Sequence, residues 1–329
     1  MDNSGLENWI PYKLVTGDGQ LQCHWLNTCG QKFTEPFFDG TILKCRSANS
    51  RYLAFSSVSD LVMMEERRQI LSTVEPTAFI FHISRCGSTL VSQMLATCDE
   101  NIVLSEVPFF DDLLRLPLKE DGIEEADINK LLASAINYYG QRRTGKEQRL
   151  FIKTDSWHLF FYDQLRKLYP LVPFVIIYRS PDEVLRSHSK VPGMQAVAGL
   201  IEPQVFGFTD ECLKYRGPGI YLAEVLESYF RECIKIVEAD DNFLLLNYSE
   251  GPMRMIEKIA AFTNTRLSGQ DLSKMTERSL YHSKQPGERF SEEAVSEIPG
   301  CLDKAMELYR TLDAKRVAIT RSKSQESRK

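Results

Sequence analysis

From Thr77 onward the chain alternates short β-favouring runs with longer amphipathic stretches, and no other feature limits its fold so strongly. The β-runs occupy residues 78–83, 102–104, 150–152, 174–178 and 243–246, and helical spacing fills 88–97, 124–139, 157–168, 181–189, 221–238 and 253–262. Such alternation predicts the α/β class: a central parallel sheet, here of five strands, flanked by helices on both faces. Residues 174–178 are continuously apolar, as a strand buried on both faces requires. Pro181 stands where a first helical turn tolerates proline. Residues 191–219 are rich in Gly and Pro and read as one long loop, a length that in a compact fold usually belongs to a lid or binding element.

Residues 1–70 follow a different pattern, with two of the three tryptophans, three cysteines and short β-favouring pieces at 12–15 and 41–43. They predict a small β-rich accessory segment, joined by a helical stretch over 60–71 to a main α/β body over 71–314. The last fifteen residues, 315–329, hold six basic side chains against Glu326 alone and are expected to form a solvated, frayed basic tail. With 43% apolar residues among 329 the chain can build a full core, and its net charge of −5 argues against nucleic-acid binding. The longest apolar run, 168–178, is far shorter than the roughly 20 residues that cross a bilayer. The first twelve residues carry Asp2 and Glu7 and no Lys or Arg, so a secretory leader is not expected and a cytosolic protein with reduced thiols is. Cys23, His24, Cys29 and Cys45 include no CxxC pair, and no metal is expected.

Ligands of open α/β sheets bind beyond the carboxyl ends of the strands. The first predicted strand is followed by Ser84-Arg85-Cys86-Gly87-Ser88-Thr89, the second by Ser105-Glu106, the third by Lys153-Thr154-Asp155, the fourth by Arg179-Ser180-Pro181 and the fifth by Asn247-Tyr248-Ser249. Cations, hydroxyls, carboxylates and an aromatic ring would thus converge on one crevice, as a phosphate-type anion site with a base beside it needs. The first segment has P-loop physics, a strand, a tight glycine turn and a helix start whose unpaired N–H groups attract an anion. It is not the nucleotide-triphosphatase motif, because His82 stands in place of the first Gly and Ser88 in place of the Lys.

Residues 83–90, Ile-Ser-Arg-Cys-Gly-Ser-Thr-Leu, resemble the 5′-phosphosulfate loop of sulfotransferases that use 3′-phosphoadenosine 5′-phosphosulfate, with Arg85 where many members have Lys. Tyr178-Arg179-Ser180-Pro181 through Ser187 resembles the 3′-phosphate motif of the same family. The likeness covers about residues 77–290 and implies a P-loop sulfotransferase fold with that nucleotide as co-substrate. It implies that Arg85, Cys86, Gly87, Ser88, Thr89 and Leu90 hold the 5′ end, Arg179 and Ser187 the 3′-phosphate, and Tyr248 the adenine. Residues 282–290, with Lys284, Gly287 and Arg289, resemble the basic loop that closes over the nucleotide. Cys86 departs from the commoner Ser, which would weaken one phosphate contact or expose the loop to oxidation.

Sulfuryl transfer needs a base, cations at the charged oxygens and in-line placement. Glu106 is the candidate base, since Val107-Pro108-Phe109-Phe110 would desolvate it and raise its pKa towards neutrality; His158 is the reserve. Lys153, with Arg85, is the candidate for stabilising the bridging oxygen. Asp155 would orient Lys153, His158 or the acceptor, and His188 reads as a partly exposed surface histidine. The acceptor is expected to be a small molecule with a hydroxyl or amine, in an apolar pocket made by Phe109, Phe110, Phe206, Phe208 and Tyr215. The N-terminal segment would complete that pocket, make a homodimer, or do neither. The rival readings are a metal-dependent P-loop kinase of small molecules and a catalytically silent nucleotide-binding module.

Overall fold

A computed structural model describes residues 5–17, 20–48, 57–67, 71–209, 217–281 and 298–326. Three strands come first, β1 (Trp9–Gly17), β2 (Gln20–Asn27) and β3 (Ser57–Asp60), forming an antiparallel sheet in that order. Helix α1 (Phe38–Ala48) lies between β2 and β3, and α2 (Leu61–Arg67) follows. The β-favouring piece at 41–43 is therefore helical, because Phe38, Thr41 and Cys45, spaced i, i+3 and i+7, bury one face against β2. Tertiary burial overrides the local preference of Thr and Ile there.

The main sheet has five parallel strands, β4 (Pro76–His82), β5 (Asn101–Ser105), β6 (Arg149–Lys153), β7 (Phe174–Tyr178) and β8 (Phe243–Asn247), in the order β5-β6-β4-β7-β8. All five predicted strands are present. β7 is buried along its whole length, as a central strand covered on both faces must be. The covering helices are α3 (Ser88–Leu95), α4 (Pro108–Arg115), α5 (Glu125–Tyr139), α6 (Tyr162–Leu168), α7 (Pro181–Lys190), α8 (Pro218–Ala239), α9 (Pro252–Phe262), α10 (Gly269–Ser279) and α11 (Asp303–Glu326). Helix α4 lies in a stretch the sequence pattern leaves unassigned, with Pro108 in its first turn and Phe109 and Leu113 facing inward. The stretch 157–168 divides into a 3-10 turn over Ser156–Phe161 and α6.

The basic tail is not frayed: residues 315–326 continue α11, which packs along α8. Arg316 joins Asp313 at 2.9 Å and Glu250 at 3.1 Å, and Lys315 joins Glu238 at 2.9 Å. The N-terminal sheet docks on the end of α5. There the Gln141 side chain accepts from the Asn8 N–H at 2.9 Å and donates to the Trp9 carbonyl at 2.8 Å, and the Tyr139 hydroxyl donates to the Pro11 carbonyl. No helix among the described residues is long and apolar enough to cross a membrane.

Candidate active site

The central strand β4 has its sequence successor β5 on one side, beyond β6, and β7 on the other, which opens a crevice at its carboxyl end. A cavity of about 910 Å³ occupies that position. Parallel register decides which side chains meet at its floor. Lys153 ends β6 opposite both Ser105 and Ile80, and the Glu106 N–H donates to the Lys153 carbonyl at 2.8 Å. Glu106 is thereby placed beside Lys153, and the two side chains form an ion pair. His82, at the end of β4, lies on the other side of the same carboxylate, its Nε2 3.3 Å from Glu106 Oε1 and 3.0 Å from the Thr154 carbonyl. Its Nδ1 accepts the Ser84 N–H at 3.0 Å, so the ring proton belongs on Nε2, where it is shared between carboxylate and carbonyl.

This arrangement corrects the expected titration of Glu106. Burial does act to raise its pKa, but the Lys153 ammonium and the His82 hydrogen bond outweigh it and hold the carboxyl down at about 2. Glu106 is a carboxylate throughout the neutral range. Its backbone is left-handed, with φ 55°, a conformation that side-chain-bearing residues rarely adopt.

The loop after β4 bends through three further left-handed residues, Ser84 at φ 70°, Arg85 at 51° and Gly87 at 80°. Only at Gly87 is space a second constraint, because an added Cβ would stand 2.8 and 2.9 Å from two carbons of the Tyr248 ring. The turn delivers the chain into α3, so Ser88 and Thr89 present hydroxyls and unpaired N–H groups at the cavity wall. Beside the loop the Arg179 guanidinium reaches the Arg85 carbonyl at 3.5 Å, lies 4.0 Å over the Tyr248 ring and pairs with Glu183 at 2.9 Å, and Ser187 lines the same cavity. Arg85, Gly87, Ser88, Thr89, Leu90, Glu106, Arg179, Ser187 and Tyr248 all line this one cavity. Lys153 reaches it through Glu106.

Several expectations need correction. The Cys86 side chain is fully buried, donates to the Ile177 carbonyl at 3.2 Å and faces away from the cavity; burial pushes its thiol up to about 11, which disfavours the reactive thiolate. His188 is buried rather than partly exposed. Its Nδ1 accepts the Gly193 N–H at 3.0 Å and its Nε2 meets Ser84 Oγ at 3.2 Å, which ties the segment after α7 to the loop. Phe206 and Phe208 pack on Phe160, Tyr229 and Tyr221, and Phe109 and Phe110 are core, so none of the four lines the cavity. Aromatic rings in a loop mark burial without saying where. Tyr215, Lys284, Gly287 and Arg289 lie outside the described residues. His158 is buried and turned to Asp111, 3.1 Å away.

Three participants were not legible as such in the sequence. His82 reads there only as a mismatch to a glycine motif, although its place at the strand end is a signal. Phe37 and Asp39 belong to the N-terminal segment and reach the cavity through the docking on α5. Among the described residues, Asp111, Asp155 and His158 place their ligand atoms within 4.8 Å of one another, but Arg115 and the Trp157 N–H already occupy Asp111 at 2.6 and 2.5 Å.

No protein-family model matches the sequence, and no curated protein matches it. Solved structures do. The sulfotransferase domain of the Synechococcus PCC 7002 olefin synthase is 15% identical, covering 74% of this chain and 96% of its own, with TM-score 0.48. The sulfotransferase domain from the curacin biosynthetic pathway is 13% identical over 74% of this chain and 99% of its own, with TM-score 0.48. A sulfotransferase from Mycobacterium avium is 13% identical over 90% and 93%, with TM-score 0.46. All three are sulfotransferases. At such identities and TM-scores, function must rest on the cavity's own residues.

Proposed function

We propose that the protein transfers a sulfuryl group from 3′-phosphoadenosine 5′-phosphosulfate to a hydroxyl or amine. The single observation that carries this reading is the meeting of Ser88 and Thr89, Arg179 and Ser187, and Glu106 in one cavity. The donor set suits such a nucleotide: helix N–H groups and hydroxyls for one anionic end, a planar guanidinium and a hydroxyl for the other, and the Tyr248 ring for a base. When bound, the nucleotide supplies an activated sulfuryl group whose bond to a phosphate oxygen breaks as the acceptor oxygen or nitrogen attacks sulfur.

The side chains have distinct tasks in this scheme. Glu106 Oε accepts the acceptor proton, held in place by His82 and Lys153. As that proton arrives the carboxylate is neutralised, and Lys153 is released to offset negative charge at the leaving phosphate, with Arg85 beside it. His82 is a positioning residue, because it acts through Glu106. Isothermal calorimetry with adenosine 3′,5′-bisphosphate and transfer of labelled sulfate to a small-molecule extract test the proposal. Heat of binding and labelled product support it. Absent heat, or turnover only with ATP and Mg²⁺, overturns it.

A further inference from the structure

The cavity lining carries both signs of charge. Besides Arg85 and Arg179, the lining includes Asp39, Asp111, Asp112 and Asp155, together with Phe37 and Trp157. Lys153 is paired with Glu106, and Arg115 with Glu202 and with Asp111 of the wall itself. Among the described residues no Lys or Arg pairs with Asp39, Asp112 or Asp155. Asp155 is the decisive group. It is 8% exposed, lines the cavity, and its carboxyl has no side-chain hydrogen-bond partner among the described residues, with His158 3.8 Å away. Its oxygens are not sealed away but open to the cavity, where a bound cationic group can pair with them.

We infer that the acceptor carries a protonated amine or similar cation in addition to the group that is sulfated, and that Asp155, with Asp112, receives that cation. The inference deepens the sulfotransferase reading and rests on it for the word acceptor. Titration of the wall agrees with the geometry: burial, with Glu106 and Asp111 close by, raises the pKa of Asp155 well above the ordinary carboxyl value, and burial with Asp111 raises that of Asp112. The wall lacks positive charge, and a cationic ligand supplies it. A neutral apolar alcohol would leave the same carboxyls unmatched, and an anionic one would meet like charge.

The test uses three phenols of one skeleton, 4-(2-aminoethyl)phenol, 4-ethylphenol and 4-hydroxyphenylacetate, titrated into the full chain with and without adenosine 3′,5′-bisphosphate. The cationic phenol should bind at least tenfold more tightly than the neutral one, and the anionic phenol most weakly. Asp155→Asn, nearly isosteric, should reduce the cationic preference threefold or more while leaving nucleotide affinity unchanged. Asp112→Asn should reduce it in the same direction and covers a folding failure of the first variant. Equal affinities, the reverse order, no binding of any of the three, or full preference retained in both variants overturns the inference. Failure of the nucleotide alone to bind would instead remove the donor site, while the titrations without nucleotide would still report on the acidic wall.

Discussion

Glu106 sits where burial and a neighbouring cation pull its proton affinity in opposite directions, and the cation prevails. Two consequences can be measured. Because the folded-state pKa, about 2, is below the ordinary value of 4.5, the ionised carboxylate stabilises the fold at neutral pH, and that contribution fades as pH falls from 4.5 through 2. Denaturation of wild type and Glu106→Gln should therefore differ at pH 7 and converge on acidification. In transfer assays the same variant should lose about 10²–10⁴ in kcat, the usual worth of a positioned base. Lys153→Met removes the main force holding the carboxyl down, so burial takes over and the acidic limb of kcat/KM for the residual activity moves to higher pH. An unmoved limb would mean that Lys153 does not set the proton affinity of Glu106.

At the scale of elements, the loop after β4 combines a required backbone with a required contact. Gly87→Ala meets both a left-handed φ of 80° and the Tyr248 ring. The strain alone is worth about 1–2 kcal/mol. Gly122 has φ 80° as well but open space around it, so Gly122→Ala isolates the strain from the contact. Gly87→Ala should lose more stability in urea than Gly122→Ala, and only Gly87→Ala should weaken adenosine 3′,5′-bisphosphate binding, by tenfold or more, as Tyr248 is displaced. Equal nucleotide affinities would detach Tyr248 from the nucleotide. The loop and the strand ends were legible because continuous apolar runs and the residues just after them are local signals. The N-terminal sheet was legible only in kind, since its docking depends on Tyr139 and Gln141, more than a hundred residues away. His188 and the acidic wall were hidden for the same reason: helical phase and charge say little about which neighbours tertiary folding will bring.

Across the whole molecule, the C-terminal helix reaches back to the strands that deliver Arg179 and Tyr248 to the cavity. Arg316 Nε donates to the Tyr178 hydroxyl at 3.0 Å and to Asp313 at 2.9 Å, and its NH1 donates to Glu250 at 3.1 Å. Asp313 also accepts from the Tyr178 hydroxyl at 2.7 Å and from the Asn247 amide at 2.9 Å. Tyr178 and Asn247 end β7 and β8, and the next residues in sequence are Arg179 and Tyr248, which stack on each other. The network thus fixes both halves of one binding wall from behind. Its removal should act twice: Arg316→Ala leaves Glu250 and Asp313 short of a partner in a partly buried setting, which costs about 1–3 kcal/mol. It should also loosen Arg179 and Tyr248 together, raising the Kd for adenosine 3′,5′-bisphosphate severalfold. Arg310, exposed on the same helix, provides the control, since Arg310→Ala should change neither quantity. Chemical denaturation and calorimetry on the two variants decide the matter. If Arg316→Ala matched the control in both, the terminal helix would be a passive cover on α8 rather than a brace for the nucleotide wall.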